Sequence, residues 1–425
     1  MTAYLLGFGA FLVVGVPVAL ALGLASLVYL WSAGNLHLLV AFPQRMVAGI
    51  DQFVLLAIPF FLLAGGLMNA GGITTDIVRL AQAVVGRVRG GLAAVTVVAS
   101  TMFSGVSGAA TAEAAALGSV MIPAMKRAGY EPRYAAALVA ASSITGPLIP
   151  PSLAMIIYGV LSGTSIGDLF VAGILPALLL AGLLIAYVLV KGRIEGHPVS
   201  EPLARGERMG ALVRGLPALM LPVIIVGGIR SGVFTPTEAA AVAALYALLV
   251  GLFLYRSLSP GAMWTTFVDT ATMTAGIMLI VAMASMTAFV LGFENVPVRI
   301  AKALLSVTDD PAILLLLVNA LLLVLGLFLE PLAALILVMP VLVEVTAAIG
   351  LDPVQFGVMV VLNLMIGMIT PPVGLCLFIV SAIARLPVQA ISVAALPMVG
   401  ICVVVLVLVA FFPPLTLFLP GLVGG

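Results

Sequence analysis

Ser142-Ser143-Ile144-Thr145-Gly146-Pro147-Leu148-Ile149-Pro150-Pro151-Ser152 interrupts one apolar run of the chain, and Asn363-Leu364-Met365-Ile366-Gly367-Met368-Ile369-Thr370-Pro371-Pro372-Val373-Gly374 interrupts another in the same register, 221 residues on. Consecutive prolines remove two N–H donors and clash with the preceding carbonyls, so a helix has to open there and free carbonyl oxygens. One such break is an ordinary kink. Two in register point to an internal repeat, and the 221-residue offset also carries Gly105 onto Gly326, Ala112 onto Ala333, Val120 onto Val341, Gly129 onto Gly350, Pro132 onto Pro353, Gly146 onto Gly367 and Pro176 onto Pro397. Glycine and proline set backbone geometry, so their coincidence means more than apolar matches would.

The solvent of this chain is lipid. Hydrophobic residues make up 64% of its 425 positions and charged ones 8%, with a mean hydropathy of +1.35, against about 25% charged in a soluble domain. Apolar runs long enough for a ~30 Å hydrocarbon core recur, as in 211–228, 238–254 and 400–417. Backbone groups in lipid must be satisfied internally, and the absence of alternating polarity selects helices over a barrel. The expected fold is therefore an all-α integral membrane protein, an inverted-topology repeat with two re-entrant hairpins and two Pro-broken helices.

A net charge of +1 gives no basic face for nucleic acid. Cys376 and Cys402 sit in separate apolar segments and read as small core residues, not a disulfide framework. The first 44 residues hold no Lys or Arg, so a charged leader region is not evident. His37 and His197 are isolated, which leaves a metal centre or a nucleophile–base pair nothing to build on. Enzyme chemistry and an organic cofactor are not expected.

Lys and Arg orient the repeats. The turn from Lys126 to Arg133 carries three basic residues and its counterpart from Glu344 to Asp352 carries none, which places the first inside and the second outside. Five expected spans separate those turns, 133–163, 168–190, 211–230, 236–255 and 261–292, and an odd number inverts the second copy. Of the 17 basic residues only Arg45, Arg230, Arg299 and Lys302 then lie outside. The first repeat is expected over 1–190, with an interfacial arm at 74–88, a hairpin at 90–126 and a broken helix at 133–163. A basic cytoplasmic linker follows at 191–210. The second repeat, 211–425, has scaffold helices at 211–292, an arm at 296–307, a hairpin at 312–349, a broken helix at 353–384 and a last helix at 388–417. Pro17 either kinks one long helix or separates two short ones, and repeat symmetry favours two with an external N-terminus.

The stretch from Gly90 to Met125 would be about 54 Å long as one helix, too long for one span and suited to two half-membrane helices meeting at a tip. That tip is Phe103-Ser104-Gly105-Val106-Ser107-Gly108-Ala109-Ala110-Thr111-Ala112-Glu113; its mate is Gly326-Leu327-Phe328-Leu329-Glu330-Pro331. Glu330 before Pro331 reads as a helix cap or as a coupling-ion or proton site, and Glu113 is open to the same two readings. No Lys or Arg lies at the tips or breaks. An anionic substrate would be held there by helix dipoles, hydroxyls and bound cations, which points to cation-coupled symport.

Four stretches resemble the large membrane subunit of TRAP transporters, the tripartite ATP-independent periplasmic carriers: Ala57–Gly65 with Asn69–Ile73, the Ser104–Glu113 tip, Ile149–Ser152, and Phe234–Ala240. Thr235, Pro236 and Glu238 in the last of these also read as a capping box. The resemblance implies an elevator-type transporter with both hairpins in its mobile domain, for Na⁺-coupled uptake of an organic acid across the bacterial inner membrane, with a small four-helix membrane subunit and a periplasmic substrate-binding protein as partners. It implies two Na⁺ sites. One joins Ser104, Gly105 and Ser107 of the first tip to Ser143, Thr145, Gly146 and Pro147. The other joins Gly326 and Glu330 to Asn363, Gly367, Met368 and Thr370. Candidate substrate contacts are Ser107, Gly108, Thr111, Pro150, Ser152, Pro371 and Gly374. Many members carry a further hydroxyl where this chain has Ala109 and Ala110. The alternatives are a self-sufficient divalent-anion or citrate symporter and, from another class, a membrane structural or assembly subunit.

Overall fold

The computed structural model describes residues 2–85, 88–199, 205–308 and 310–423, so residues 86–87 of the expected arm and 200–204 of the expected linker lie outside it. Among the described residues the chain is helical, apart from a single bridge between Arg89 and Val199.

Helices α1 (Thr2–Val13) and α2 (Val18–Ser32) are separated at Pro17 and fold back on each other, with Gly7 facing Val28 and Ala25. At 12 and 15 residues they are about 18 and 22 Å long, too short for a ~30 Å core. Separate helices are as expected; spans they are not. Helices α3 (Ala41–Ile50) and α4 (Ala57–Ala70) lead to the arm α5 (Ile73–Val85). The first hairpin is α6 (Gly91–Ser107) and α7 (Ala110–Arg127). The broken helix that follows is α8 (Pro132–Ser142), a 3₁₀ segment at Ser143–Leu148 and α9 (Leu153–Ser162), bent by 41°. Helices α10 (Ile166–Ala172) and α11 (Ile174–Ile194) close the first copy.

The second copy opens with α12 (Arg205–Arg230), α13 (Pro236–Leu249) and the 34-residue α14 (Pro260–Phe293). The Thr235–Glu238 capping box is formed at the start of α13. The arm α15 (Val296–Val307), the hairpin α16 (Pro311–Phe328) and α17 (Pro331–Ile349), and the broken helix α18 (Pro353–Gly367) and α19 (Leu375–Ala384) follow. The last helix was expected to run to 417. Instead α20 (Val388–Phe411) stops, and a short α21 (Pro414–Val423) begins at the proline pair 413–414, where two ring nitrogens cannot continue the ladder.

Two bundles result. In one, α2, α4, α12, α13 and α14 pack together; in the other, the hairpins and broken helices interlock around α20, with α19 against α7 and α9 against α17. That exchange between copies is the pseudo-twofold relation. Each break holds a cis bond at its proline pair, Pro150–Pro151 and Pro371–Pro372, although the first is 3₁₀ over Ser143–Leu148 while α18 stays α-helical to Gly367. Ser152, fully buried, caps α9: its Oγ accepts from Met155 N at 3.2 Å and donates to the Pro147 carbonyl at 2.5 Å. Gly326 and Gly367 face each other, so α16 and α18 meet backbone to backbone; a Cβ on Gly367 would collide with Gly326.

The copies differ in what covers them. α12 packs on α5 and α6, while its repeat-mate α1 packs chiefly on α2. Phe103 of α6, on the side facing α4, is 2% exposed, and its counterpart on α16, Val324, is 52% exposed. On the cytoplasmic side the start of the linker is tied down. The His197 ring lies 4.6 Å from that of Tyr130 and 5.5 Å from that of Tyr134, and Glu195 accepts from Lys191 at 2.5 Å. The Lys191 ammonium holds the Glu195 carboxyl below the usual carboxylate range. On the opposite side Arg230 of α12 pairs with Asp168 of α10 and donates to the Pro420 carbonyl at 3.0 Å.

Two outcomes are expected in thermal unfolding of the detergent-solubilised chain. Gly367→Ala costs about 1–3 kcal/mol by forcing two backbones apart, whereas Gly182→Ala, with open space around it, is neutral or stabilising. Ser152→Ala costs about 1 kcal/mol through the lost cap.

Candidate functional site

The two hairpin tips and the first break wall one cavity of about 510 Å³. Tip 1 contributes Gly108, Ala109, Ala110 and Thr111, tip 2 contributes Glu330, Pro331, Leu332 and Ala333, and the broken helices contribute Pro147, Leu153, Ala154, Met365 and Met368. Its far wall is Leu62 of α4, Met273, Gly276, Ile277 and Ile280 of α14, and Pro17–Ala19 at the turn of the α1–α2 hairpin. Four helices therefore begin at this cavity: α2 at Val18, α7 at Ala110, α9 at Leu153 and α17 at Pro331. The first N–H groups of a helix have no intrahelical partner and carry the positive end of its dipole. No Lys or Arg is among the lining residues.

Tip 1 is wound tightly because Gly108 takes a left-handed conformation, φ 63°, and its bare Cα presses on the Pro151 carbonyl. Behind it lies Glu113, fully buried. Ser100 donates to one carboxylate oxygen and Ser104 Oγ to the other at 3.1 Å, while Ser104 Oγ lies 3.2 Å from Thr145 Oγ1. A Cβ on Gly146 would stand 2.6 Å from Glu113 Oε2, so glycine is what lets the break close over the carboxylate. Tip 1 and break 1 thus converge through Ser104, Glu113, Thr145 and Gly146. Ser100 supplies a hydroxyl that the sequence reading passed over, since it precedes the tip by a full turn.

At tip 2, Glu330 caps α17, its Oε2 accepting from Ala333 N at 3.0 Å, and it also lines the central cavity. The two sequence readings of Glu330 are compatible. A gap of about 90 Å³ lies between Gly326–Glu330 and Met368, Val373, Gly374 and Leu375, so the second tip and break are also brought together.

Several proposed contacts point elsewhere. Gly105 packs on Pro222 of α12, not on the break, because it sits on the face of α6 turned to that helix. The Ser143 hydroxyl donates to Ala140 O at 2.8 Å and faces Cys376 Sγ at 3.7 Å. The Ser152 hydroxyl is consumed by its cap, and Pro150 is covered beside it, so neither lines the cavity. Pro371 lies on a separate groove with Phe378 and Ser392. Asn363 donates to Asn319 Oδ1 at 2.7 Å and to Asn319 O at 3.0 Å, turned towards α16 and away from Thr370. Thr370 Oγ1 donates to Ile366 O at 2.7 Å. Ser107 faces a second cavity on the other side of tip 1. No cluster of three or more His, Cys, Asp or Glu side chains able to hold a metal occurs among the described residues. A hydroxyl and carbonyl donor set of the kind at Ser104, Thr145 and the opened breaks suits a hard monovalent cation in preference to a transition metal.

Known proteins share this sequence and shape. The chain is 43% identical to the sialic acid TRAP transporter large permease protein SiaM of Vibrio cholerae, over 100% of this chain and 99% of that one. It is 38% identical to the C4-dicarboxylate TRAP transporter large permease protein DctM of the same organism, over 97% and 96%. The solved YdaH transporter of Alcanivorax borkumensis, at 18% identity, has the same fold over 91% of each chain with a TM-score of 0.65. The family model for the DctM component of tripartite ATP-independent periplasmic transporters matches residues 5–415, and with the paired tips, breaks and inverted copies in place the chain belongs to that family.

Proposed function

We propose that this large permease subunit carries an organic anion, coupled to Na⁺, across the bacterial inner membrane by an elevator movement of the hairpin bundle against the α4–α12–α13–α14 scaffold. The observation that carries this reading is the convergence of four helix N-termini on a cavity without a basic side chain. A carboxylate suits such a site, since the positive dipole ends face it and the start of α7 has no side-chain cap. Glu330 on the same wall would repel that carboxylate. A cation bound between tip and break offsets the repulsion, so entry of anion and cation are energetically linked. Ser104, Thr145 and Glu113 supply oxygens for one cation, and Gly326, Glu330 and Met368 line the gap that suits a second.

Relatives named for sialic acid and for C4-dicarboxylates are both transporters of carboxylates, which supports an organic acid here. Membership in a tripartite family supports a small membrane subunit and a periplasmic substrate-binding protein as partners. A self-sufficient symporter would need neither.

In proteoliposomes that contain the chain, its small subunit and the binding protein, complete replacement of Na⁺ by choline is expected to reduce uptake to background; undiminished uptake would overturn Na⁺ coupling. Omission of the binding protein is expected to abolish uptake, and full activity without it would favour the self-sufficient reading. Ser104→Ala and Thr145→Val are each expected to raise the Na⁺ concentration for half-maximal uptake about tenfold, equivalent to ~1.4 kcal/mol, with the order of preferred substrates unchanged.

A further inference from the structure

Beyond tip 1 from the central cavity lies a second one of about 340 Å³ with a different lining. Asn69 of α4, Ser107 of tip 1, and Thr266, Asp269 and Thr270 of α14 give it a polar wall. Asn69 is at the C-terminal end of α4, and Asp269 is nine residues, about 14 Å, from the start of α14 at Pro260. Those ends lie near Arg79 and Arg256, on the side that the Lys and Arg distribution makes cytoplasmic. In that orientation this cavity lies on the cytoplasmic side of tip 1, as a vestibule would.

Leu62, Ala109 and Met273 line both cavities. We propose that Leu62 and Met273, closing on Ala109 of the first hairpin tip, form the apolar gate that separates the central chamber from the cytoplasmic vestibule. The packing around Leu62 sets the closure. One turn further along α4, a Cβ on Gly65 would stand 3.0 Å from the Val106 carbonyl at tip 1, and a Cβ on Gly66 would stand 2.8 Å from Thr266 Cγ2 of α14. The two glycines therefore seat α4 between the tip and α14, and Leu62 of α4, Met273 of α14 and Ala109 of the tip form the boundary that the two cavities share. Three side chains without a polar hydrogen-bonding group strip water from anything that passes, and a hydrated cation or carboxylate meets a dewetting barrier there. Met273 is unbranched and 55% exposed, free to swing, whereas Leu62 is partly buried on its helix. Two members of the gate belong to the scaffold and one to the hairpin. Displacement of tip 1 removes Ala109 and opens the path, so the gate is coupled to hairpin position without a lid of its own. This rests on the central cavity being the transport chamber.

Single-cysteine accessibility in inside-out membrane vesicles tests the gate without a transport assay. The native Cys376 and Cys402 are buried and give a silent background. A membrane-impermeant anionic methanethiosulfonate is expected to modify Asp269→Cys rapidly and Thr111→Cys at least about tenfold more slowly. Adding Met273→Ala should bring Thr111→Cys close to the Asp269→Cys rate, while Met273→Leu, which keeps the bulk, should leave it slow. Reactivity of Asp269→Cys in the Met273→Ala background reports that the variant is inserted and folded. Equal rates for the two cysteines in the parent chain, an unreactive Asp269→Cys, or no effect of Met273→Ala would each overturn the gate. Failure of the transport reading would show instead as uptake that ignores Na⁺, with these rates unaffected.

Discussion

Inside a bilayer a free backbone N–H or C=O has no water to turn to, and this requirement governs every unusual feature of the chain. Helices satisfy themselves; tips and breaks do not. Each non-helical stretch at mid-depth is therefore packed against another part of the protein or opens on a cavity. Tip 1 rests on the carbonyl of Pro151, break 1 is buried and meets the central cavity at Pro147, and tip 2 begins a helix with Glu330 accepting from the Ala333 N–H. The same exposed backbone that would be intolerable against lipid is what the proposed function would use to bind ions.

Glycine and proline do most of this work because they act on the main chain directly. Gly326 opposite Gly367 brings a hairpin helix into backbone contact with a broken helix, and Gly146 leaves room for a buried carboxylate under the first break. Polar side chains are then added unequally. The first tip has Ser104, Thr145 and Glu113 in one hydrogen-bonded group, whereas the second has an acidic cap beside a small gap. Related positions with unequal donors would let the two proposed cations differ in affinity and in order of release.

Legibility in the sequence followed the kind of physics each residue obeys. The tips, breaks, arms and inverted copies could be read because Pro-Pro, Gly and the distribution of Lys and Arg constrain the chain locally or by topology. Ser152 and Asn363 could not be assigned that way. A buried hydroxyl or amide is a ligand or a strut depending on where it points: Ser152 turns back on its own helix start, and Asn363 meets Asn319 across a helix pair. Pro150 and Pro371 occupy the same register but face different surroundings, since the copies are covered by different helices. The α1–α2 hairpin was legible as two helices; its reach into the central cavity was not, because helix length says nothing of which way a turn points.

By itself the sequence determined a helical membrane protein of two inverted copies, each with a hairpin and a broken helix, and it named the family. Those conclusions rest on composition, on backbone stereochemistry and on charge at the ends of spans, all of which are readable one segment at a time. Tertiary structure alone decided which oxygens meet, that Ser100 and Ser104 share Glu113, and that Leu62, Ala109 and Met273 stand between two cavities. Apolar side chains carry no local mark of being a gate. Their role arises only when α4, α14 and a hairpin tip, far apart along the chain, are packed against one another.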